Sequence, residues 1–326
     1  MTTIKPIRML TRRTVLAAGA SALAAPALRA QSGPLRFIFP FAAGGAGDAL
    51  ARIVADEVGR ALGETTLVEA RPGAGGQIGT QAVINAAPDG RTFLVTPVAP
   101  IIIHPIVFPQ LPYDPFKDLA PISLVTTFDF ALAINPETPV KTLAELVTWM
   151  KQDSRRATYG SPGVGNLPHF FGALMADKIG VPMQHAPYRG SAPALTDLMG
   201  GQVPMVMTTT SDVTELARGG RIRVLAVSGR ERSPFLPDVP TFTEAGIPIA
   251  GGAWYACYTK AGAPADMIGK VSRAIMAAMR APAVREKVLG LSMVPTGSTP
   301  EELATIQKAD HDAWTPAVRA SGFKPS

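Results

Sequence analysis

Two short segments of this chain could do chemistry through their backbone. Phe41-Ala42-Ala43-Gly44-Gly45-Ala46-Gly47-Asp48 follows the apolar run Leu35 to Pro40 and precedes apolar residues at helical spacing: Leu50, Ile53, Val54, Val58, Ala61 and Leu62. Gly160-Ser161-Pro162-Gly163-Val164-Gly165-Asn166 likewise stands between a short strand at Ala157 to Tyr159 and a helix expected from Leu167 to Ile179. A glycine-rich loop feeding a helix presents unpaired N–H groups at the positive end of the helix dipole, so an oxyanion can bind there without a cationic side chain. Two such loops could each hold a carboxylate, or the two ends of one dicarboxylate. The plainer reading of Gly44, Gly45, Gly163 and Gly165 is that they permit tight βα turns, and Asp48 can serve as a helix cap or accept a hydrogen bond from a ligand.

Other chemistries fit poorly. Gly45-Ala46-Gly47-Asp48-Ala49-Leu50 opens like a dinucleotide fingerprint, but Leu50 stands where the third glycine belongs. No phosphate-binding Gly-x-x-x-x-Gly-Lys-[Ser/Thr] occurs, and His104, His169, His185 and His311 have no metal-ligand spacing, so neither a cofactor nor a metal is expected. His169 follows the second loop within the first helical turn and could line a cleft, cap or pack. Tyr159 replaces the first glycine of a Gly-x-Ser-x-Gly elbow, which leaves Ser161 a weak candidate nucleophile. With no nucleophile and base at recognisable spacing, the chain does not read as an enzyme. The single cysteine, Cys257, excludes an intrachain disulfide.

The elements that position these loops come in two α/β blocks. In the first, strands are expected at Leu35 to Pro40, Thr66 to Glu69 and Thr92 to Thr96, alternating with helices from Asp48 and over Gln77 to Ala86. The apolar stretch Val95 to Phe108, broken by Pro97, Pro100 and Pro105, reads as a strand end and loop. The second block has helices over 142–150, 167–179 and 192–199 and strands near 157–159, 183–186, 203–207 and 224–228. Extended segments at Ile122 to Asn135 and Ala253 to Thr259 could link the blocks, and the C-terminal helices over 264–281, 283–289 and 300–321 would pack back on the first. This order implies doubly wound, mostly parallel sheets. The expected division is a discontinuous first lobe, 33–125 plus 255–326, and a second lobe, 126–254, with a ligand cleft between them.

The chain has 31 basic and 25 acidic residues, a formal charge of +6. Lys5, Arg8, Arg12, Arg13 and Arg29 supply five of the six excess charges, and residues 1–30 contain no acid. Arg12-Arg13 directly precede Val15 to Leu28, an uncharged stretch of 14 residues rich in Ala, Leu and Val, too short for a spanning helix. Residues 1–30 therefore read as a cleaved signal peptide, by the twin-arginine or the general route, and the destination as the periplasm. Residues from Gln31 onward hold 26 basic against 25 acidic residues, scattered among one another, so neither nucleic acid nor a charged membrane surface is an expected partner.

A longer set of motifs resembles the Bug family, the extracytoplasmic solute receptors of tripartite tricarboxylate transporters. They run in order: Pro40-Phe41-x-Ala43-Gly44-Gly45-x-x-Asp48, Pro72-Gly73-Ala74-Gly75-Gly76, Pro88-Asp89-Gly90, Leu111-Pro112-Tyr113-Asp114, Tyr159-Gly160-Ser161-Pro162-Gly163-x-Gly165, Pro187-Tyr188-Arg189-Gly190 and Leu236-Pro237-Asp238-Val239-Pro240. The resemblance implies a two-lobed, type II-like periplasmic binding protein, monomeric, that closes on a small carboxylate and docks on large and small membrane subunits. The ligand could be a di- or tricarboxylate, an acidic amino acid or an aromatic carboxylate. It also implies ligand-binding positions at Phe41, Ala43, Gly44, Asp48, Ser161, Gly165, Asn166, His169, Tyr188 and Thr210. The chain departs from the commoner family pattern at Thr208-Thr209-Thr210 and at Arg71, which leaves side-chain specificity open. A receptor that docks on a membrane sensor is the alternative reading.

Overall fold

The computed structural model describes residues 33–320. The signal-peptide reading of residues 1–30 lies outside them. Strand β1 (Leu35–Phe39) is buried at Leu35, Phe37, Ile38 and Phe39, while Arg36 reaches the edge to pair with Glu69 at 2.7 Å. It runs parallel to β2 (Thr66–Ala70) on one side and β3 (Thr92–Pro97) on the other. Helices α1 (Ala46–Leu62) and α2 (Gln77–Ile84) make the two crossovers. Between β3 and the next strand, the stretch that reads as a loop instead winds into a π-type turn at Ala99–Ile103 and a helical turn at His104–Val107. Ile101, Ile102 and Ile103 are fully buried there, so packing overrides the breaking tendency of Pro100 and Pro105.

Strand β4 (Leu119–Ile134) is a single 16-residue element shared by two sheets. Helix α3 (Leu143–Gln152) leads from it into β5 (Thr158–Ser161), α4 (Leu167–Ile179), β6 (Gln184–Pro187), α5 (Ser191–Met199), β7 (Met205–Thr209), α6 (Thr210–Arg218) and β8 (Arg223–Val227). The chain returns through β9 (Gly252–Lys260) to α7 (Ala265–Arg280), α8 (Pro282–Gly290), the short β10 (Val294–Pro295) and α9 (Pro300–Ala320).

The first sheet has the order β2-β1-β3-β9-β4, and the second places β4 against both β7 and β8 with β5 and β6 beyond β7. Each sheet is parallel where βαβ crossovers build it and antiparallel where the crossing strands join it. β4 pairs with β9 from Leu119 to Asp129, then with β7 and β8 from Phe130 to Ile134. Helix α7 buries Val271, Ile275 and Met279 and packs on α1 and β4, so the C-terminal helices do close over the first sheet.

One side chain ties the two crossing segments together. The Ser228 hydroxyl accepts from the Phe130 N–H at 2.9 Å and donates to the Gly251 carbonyl at 2.6 Å, while the Ser228 N–H donates to the Phe130 carbonyl. Ser228 is fully buried, so its removal strands a donor and an acceptor away from water. Ser228→Ala is expected to lower stability by about 1–3 kcal/mol, measured as the shift in a urea unfolding midpoint at unchanged slope.

Candidate functional site

The cleft lies where the carboxyl ends of β1, β3 and β7 meet the starts of four helices. Ligands of open α/β sheets bind at such places, because each strand end delivers a loop and each loop a helix N-terminus. The wall includes Gly45 and Gly47 at the start of α1, Asn166, Leu167 and Pro168 at α4, Gly190 and Ser191 at α5, and Thr209 and Asp212 at α6. The rest is largely apolar: Phe39, Phe41, Val98, Phe128, Phe130 and Tyr255. Among the described residues no Lys or Arg lines the space, which has a volume of about 50 Å³. What the wall offers an anion is the set of peptide dipoles at four helix starts, set against the carboxylate of Asp212.

The two sides of the cleft are joined by hydrogen bonds. Asp212 Oδ1 accepts from the Ala46 N–H at 2.9 Å, and its Oδ2 accepts from Thr209 Oγ1 at 2.8 Å. The Asp212 N–H in turn donates to Thr209 Oγ1, so the pair caps α6 while its carboxylate reaches the first turn of α1. Nearby, the Ala42 N–H donates to the Arg189 carbonyl at 3.0 Å. Gly47 has a steric role: a Cβ there would stand 2.5 Å from the Tyr255 hydroxyl and 2.8 Å from the Phe39 ring. Only a residue without a side chain lets α1 lie this close to β1 and β9.

Of the residues expected from sequence, Phe41 and Asn166 line the cavity. The loop contributes Ala42 and Gly45 to the wall rather than Ala43 and Gly44. Asp48 is buried but engaged elsewhere, accepting from the Gly44 N–H at 3.3 Å and from Arg52 at 3.1 and 3.2 Å, which fastens the loop to its helix. Thr210 donates to the Asp129 carbonyl on the far side of the crossing strands, and Tyr188 donates to Asp197 at 2.9 Å. Gly165, with φ of 72°, faces Phe108 and His104.

Ser161 and His169 belong to a buried cluster beneath the second loop. Ser161 Oγ lies 3.0 Å from the Gly163 carbonyl and 2.7 Å from His185 Nε2, a hydrogen bond whose direction follows the imidazole tautomer. His169 Nδ1 accepts from the Gly165 N–H at 3.1 Å, and the two imidazoles stack with centroids 3.8 Å apart. Burial pushes His169 down to about 4, and burial together with His169 pushes His185 down to about 3. His104, fully buried, is pushed down to about 3 by desolvation. Its Nε2 faces Asn166, yet neither Nε2 nor either amide atom of Asn166 makes a hydrogen bond of good geometry. The neutral cluster holds the loop in shape.

Asp212, Ser191 and Tyr255 were not among the residues singled out from sequence, whereas Thr209 lies in the Thr208-Thr209-Thr210 run named there. Thr209-x-x-Asp212 carries a legible helix-cap signal, but its bond to Ala46 spans 166 positions and has no local trace.

Two lobes joined by crossing strands around a cleft of helix N-termini define a solute-binding receptor of the periplasmic binding-protein class. The family model described as the tripartite tricarboxylate transporter family receptor matches residues 50–322, and the chain belongs to that family. It is 32% identical over 293 residues to protein BugT of Bordetella pertussis, covering 89% of this chain and 90% of the relative. Among solved structures, it is similar to the periplasmic binding protein BugD, with 29% identity, TM-score 0.86 and coverage of 90% and 99% of the two chains. It is also similar to Rhodopseudomonas palustris Rpa4515 with adipate, with 26% identity, TM-score 0.86 and the same coverages. MatC of the same organism with bound malate gives 29% identity and TM-score 0.83 over 88% and 99%.

Two outcomes follow from this geometry. All three buried histidines have folded-state values below the ordinary 6.5, so the unfolded chain takes up protons first as the medium acidifies. Stability should be full above about pH 6.5 and fall progressively from there to about pH 3–4, with a slope that shrinks in His104→Gln; urea unfolding at a series of pH values measures it. Gly47→Ala should force Tyr255 or Phe39 aside and cost about 1–3 kcal/mol, seen in the same unfolding experiment.

Proposed function

We propose that this protein is a periplasmic receptor that captures a small carboxylate between its lobes and delivers it to the membrane subunits of a tripartite transporter. The observation that carries the reading is the convergence of four helix N-termini on a cleft wall without a cationic side chain, an arrangement suited to an anion bound through backbone amides. Adipate and malate, named with two of the similar structures, are both carboxylates. The working division is a first lobe of 33–125 plus 255–326 and a second of 126–254, hinged where β4 changes partners and Ser228 ties the crossing segments. Residues 1–30 act as an export signal removed in the periplasm, and the receptor works as a monomer.

Capture without turnover is the favoured role. The Ser161 hydroxyl lies 2.7 Å from His185 Nε2, but it is fully buried and does not line the cleft, so no substrate in the cleft meets it. Closure proceeds by the lobes turning about the crossing strands, with the closed form recognised by the membrane subunits.

Trp254 sits at the start of β9, its Nε1–H donating to Asp310 at 2.6 Å, between the cavity residues Ala253 and Tyr255. Its fluorescence is therefore a reporter of hinge movement. Titration with a panel of mono- and dicarboxylates, followed by calorimetry and by tryptophan emission, should give saturable binding by at least one of them and an emission change. A folded protein that binds no carboxylate contradicts the proposal.

A further inference from the structure

The cleft already contains one carboxylate, and it belongs to the protein. Asp212 Oδ1 occupies the Ala46 N–H at the start of α1, the position where one end of a doubly charged ligand would otherwise be received. This carboxylate is well held, because Thr209 and the more distant Thr208 hydroxyl, at 3.4 Å, also donate to it. A Cβ on Gly45 would lie 3.2 Å from Asp212 Oδ1, so a side chain there would press on the carboxylate.

The opposite side of the cleft is differently equipped. Asn166 is the N-cap residue of α4, yet its side chain makes no capping bond. It is only 3% exposed and lines the cavity, and its amide, which lies against His104 Nε2, makes no hydrogen bond of good geometry at either atom. A loosely held amide beside a helix N-terminus can turn its Nδ2 toward an incoming oxyanion, which then pairs a donor that folding has left without a good partner. Between Asn166 and Asp212 the wall is Phe39, Phe41, Phe128, Phe130, Tyr255 and Leu167, with no cation to offset a second negative charge.

We propose that Asp212 is a built-in counter-carboxylate that sets specificity, so that this receptor selects ligands with a single carboxylate, bound at the Asn166 end of the cleft, and an aryl or branched-alkyl body. This inference rests on the receptor reading above and narrows its ligand class. A dicarboxylate would bring its second charge beside Asp212, where like charges in a partly desolvated site oppose each other. An apolar body instead meets the aromatic wall, and its burial favours binding in proportion to the area removed from water.

The test is calorimetry at pH 7.5 with phenylacetate and 4-methylvalerate against adipate and malate, using the wild type, Asp212→Asn and Asn166→Ala. The wild type should bind the monocarboxylates at least about tenfold more tightly than the dicarboxylates. Asp212→Asn keeps an oxygen to accept from Ala46 but removes the charge. It should shift the affinity ratio of adipate or malate to the monocarboxylates by about tenfold toward the dicarboxylates. Asn166→Ala should weaken the monocarboxylates by about tenfold or more. Tighter wild-type binding of adipate or malate overturns the inference and leaves the receptor reading standing, and so does an Asp212→Asn variant whose selectivity is unchanged. The wild-type ratio decides the matter if a variant does not fold. A folded wild type that binds none of the four overturns this inference, and failure with a wider carboxylate panel overturns the receptor reading as well.

Discussion

Everything about this site depends on the unpaired amides at the start of a helix. An α-helix leaves its first N–H groups without intrahelical partners, and buried N–H groups must find partners or cost free energy. This fold brings four such starts to one cleft. At α1 the Ala46 amide is answered from within by Asp212; at α4 the cap residue Asn166 is left with an unpaired amide. The asymmetry between those two ends is what gives the cleft a direction.

The rest of the architecture serves to hold these helix starts in register. Parallel strands point their carboxyl ends the same way, so α1 begins at the mouth of one sheet and α4, α5 and α6 at the mouth of the other. The crossing strands β4 and β9 bind the sheets together, with Ser228 bridging Phe130 and Gly251 at the point where β4 changes partners. Loop shape is maintained from beneath by neutral groups: Ser161, His169 and His185 stack and hydrogen-bond under the second loop without adding charge to the cleft.

Much of this was legible in the sequence because it is local. The strand, glycine loop and helix around Phe41 to Leu62 and again around Thr158 to Ile179 follow from apolar period, glycine position and caps, all within a few residues. The family motifs extend that reading along nearly the whole chain. What was not legible involves distant partners. The segment from Ala99 to Val107 carries two prolines and reads as a loop, yet helical turns form because three isoleucines are buried by elements far along the chain. Asp48 was a natural ligand-facing acid by position, but Arg52 one turn on engages both its oxygens. Asp212 drew no attention in the sequence, since its contact with Ala46 spans 166 positions and exists only in the folded chain.

The most direct measurement of the central claim is a structure of the protein with a bound carboxylate. The account places the ligand's carboxylate oxygens within hydrogen-bond distance of the Asn166 amide and the backbone N–H groups at the start of α4, with no arginine or lysine touching them. A ligand held by a cationic side chain, or seated outside the cleft between the lobes, would contradict it.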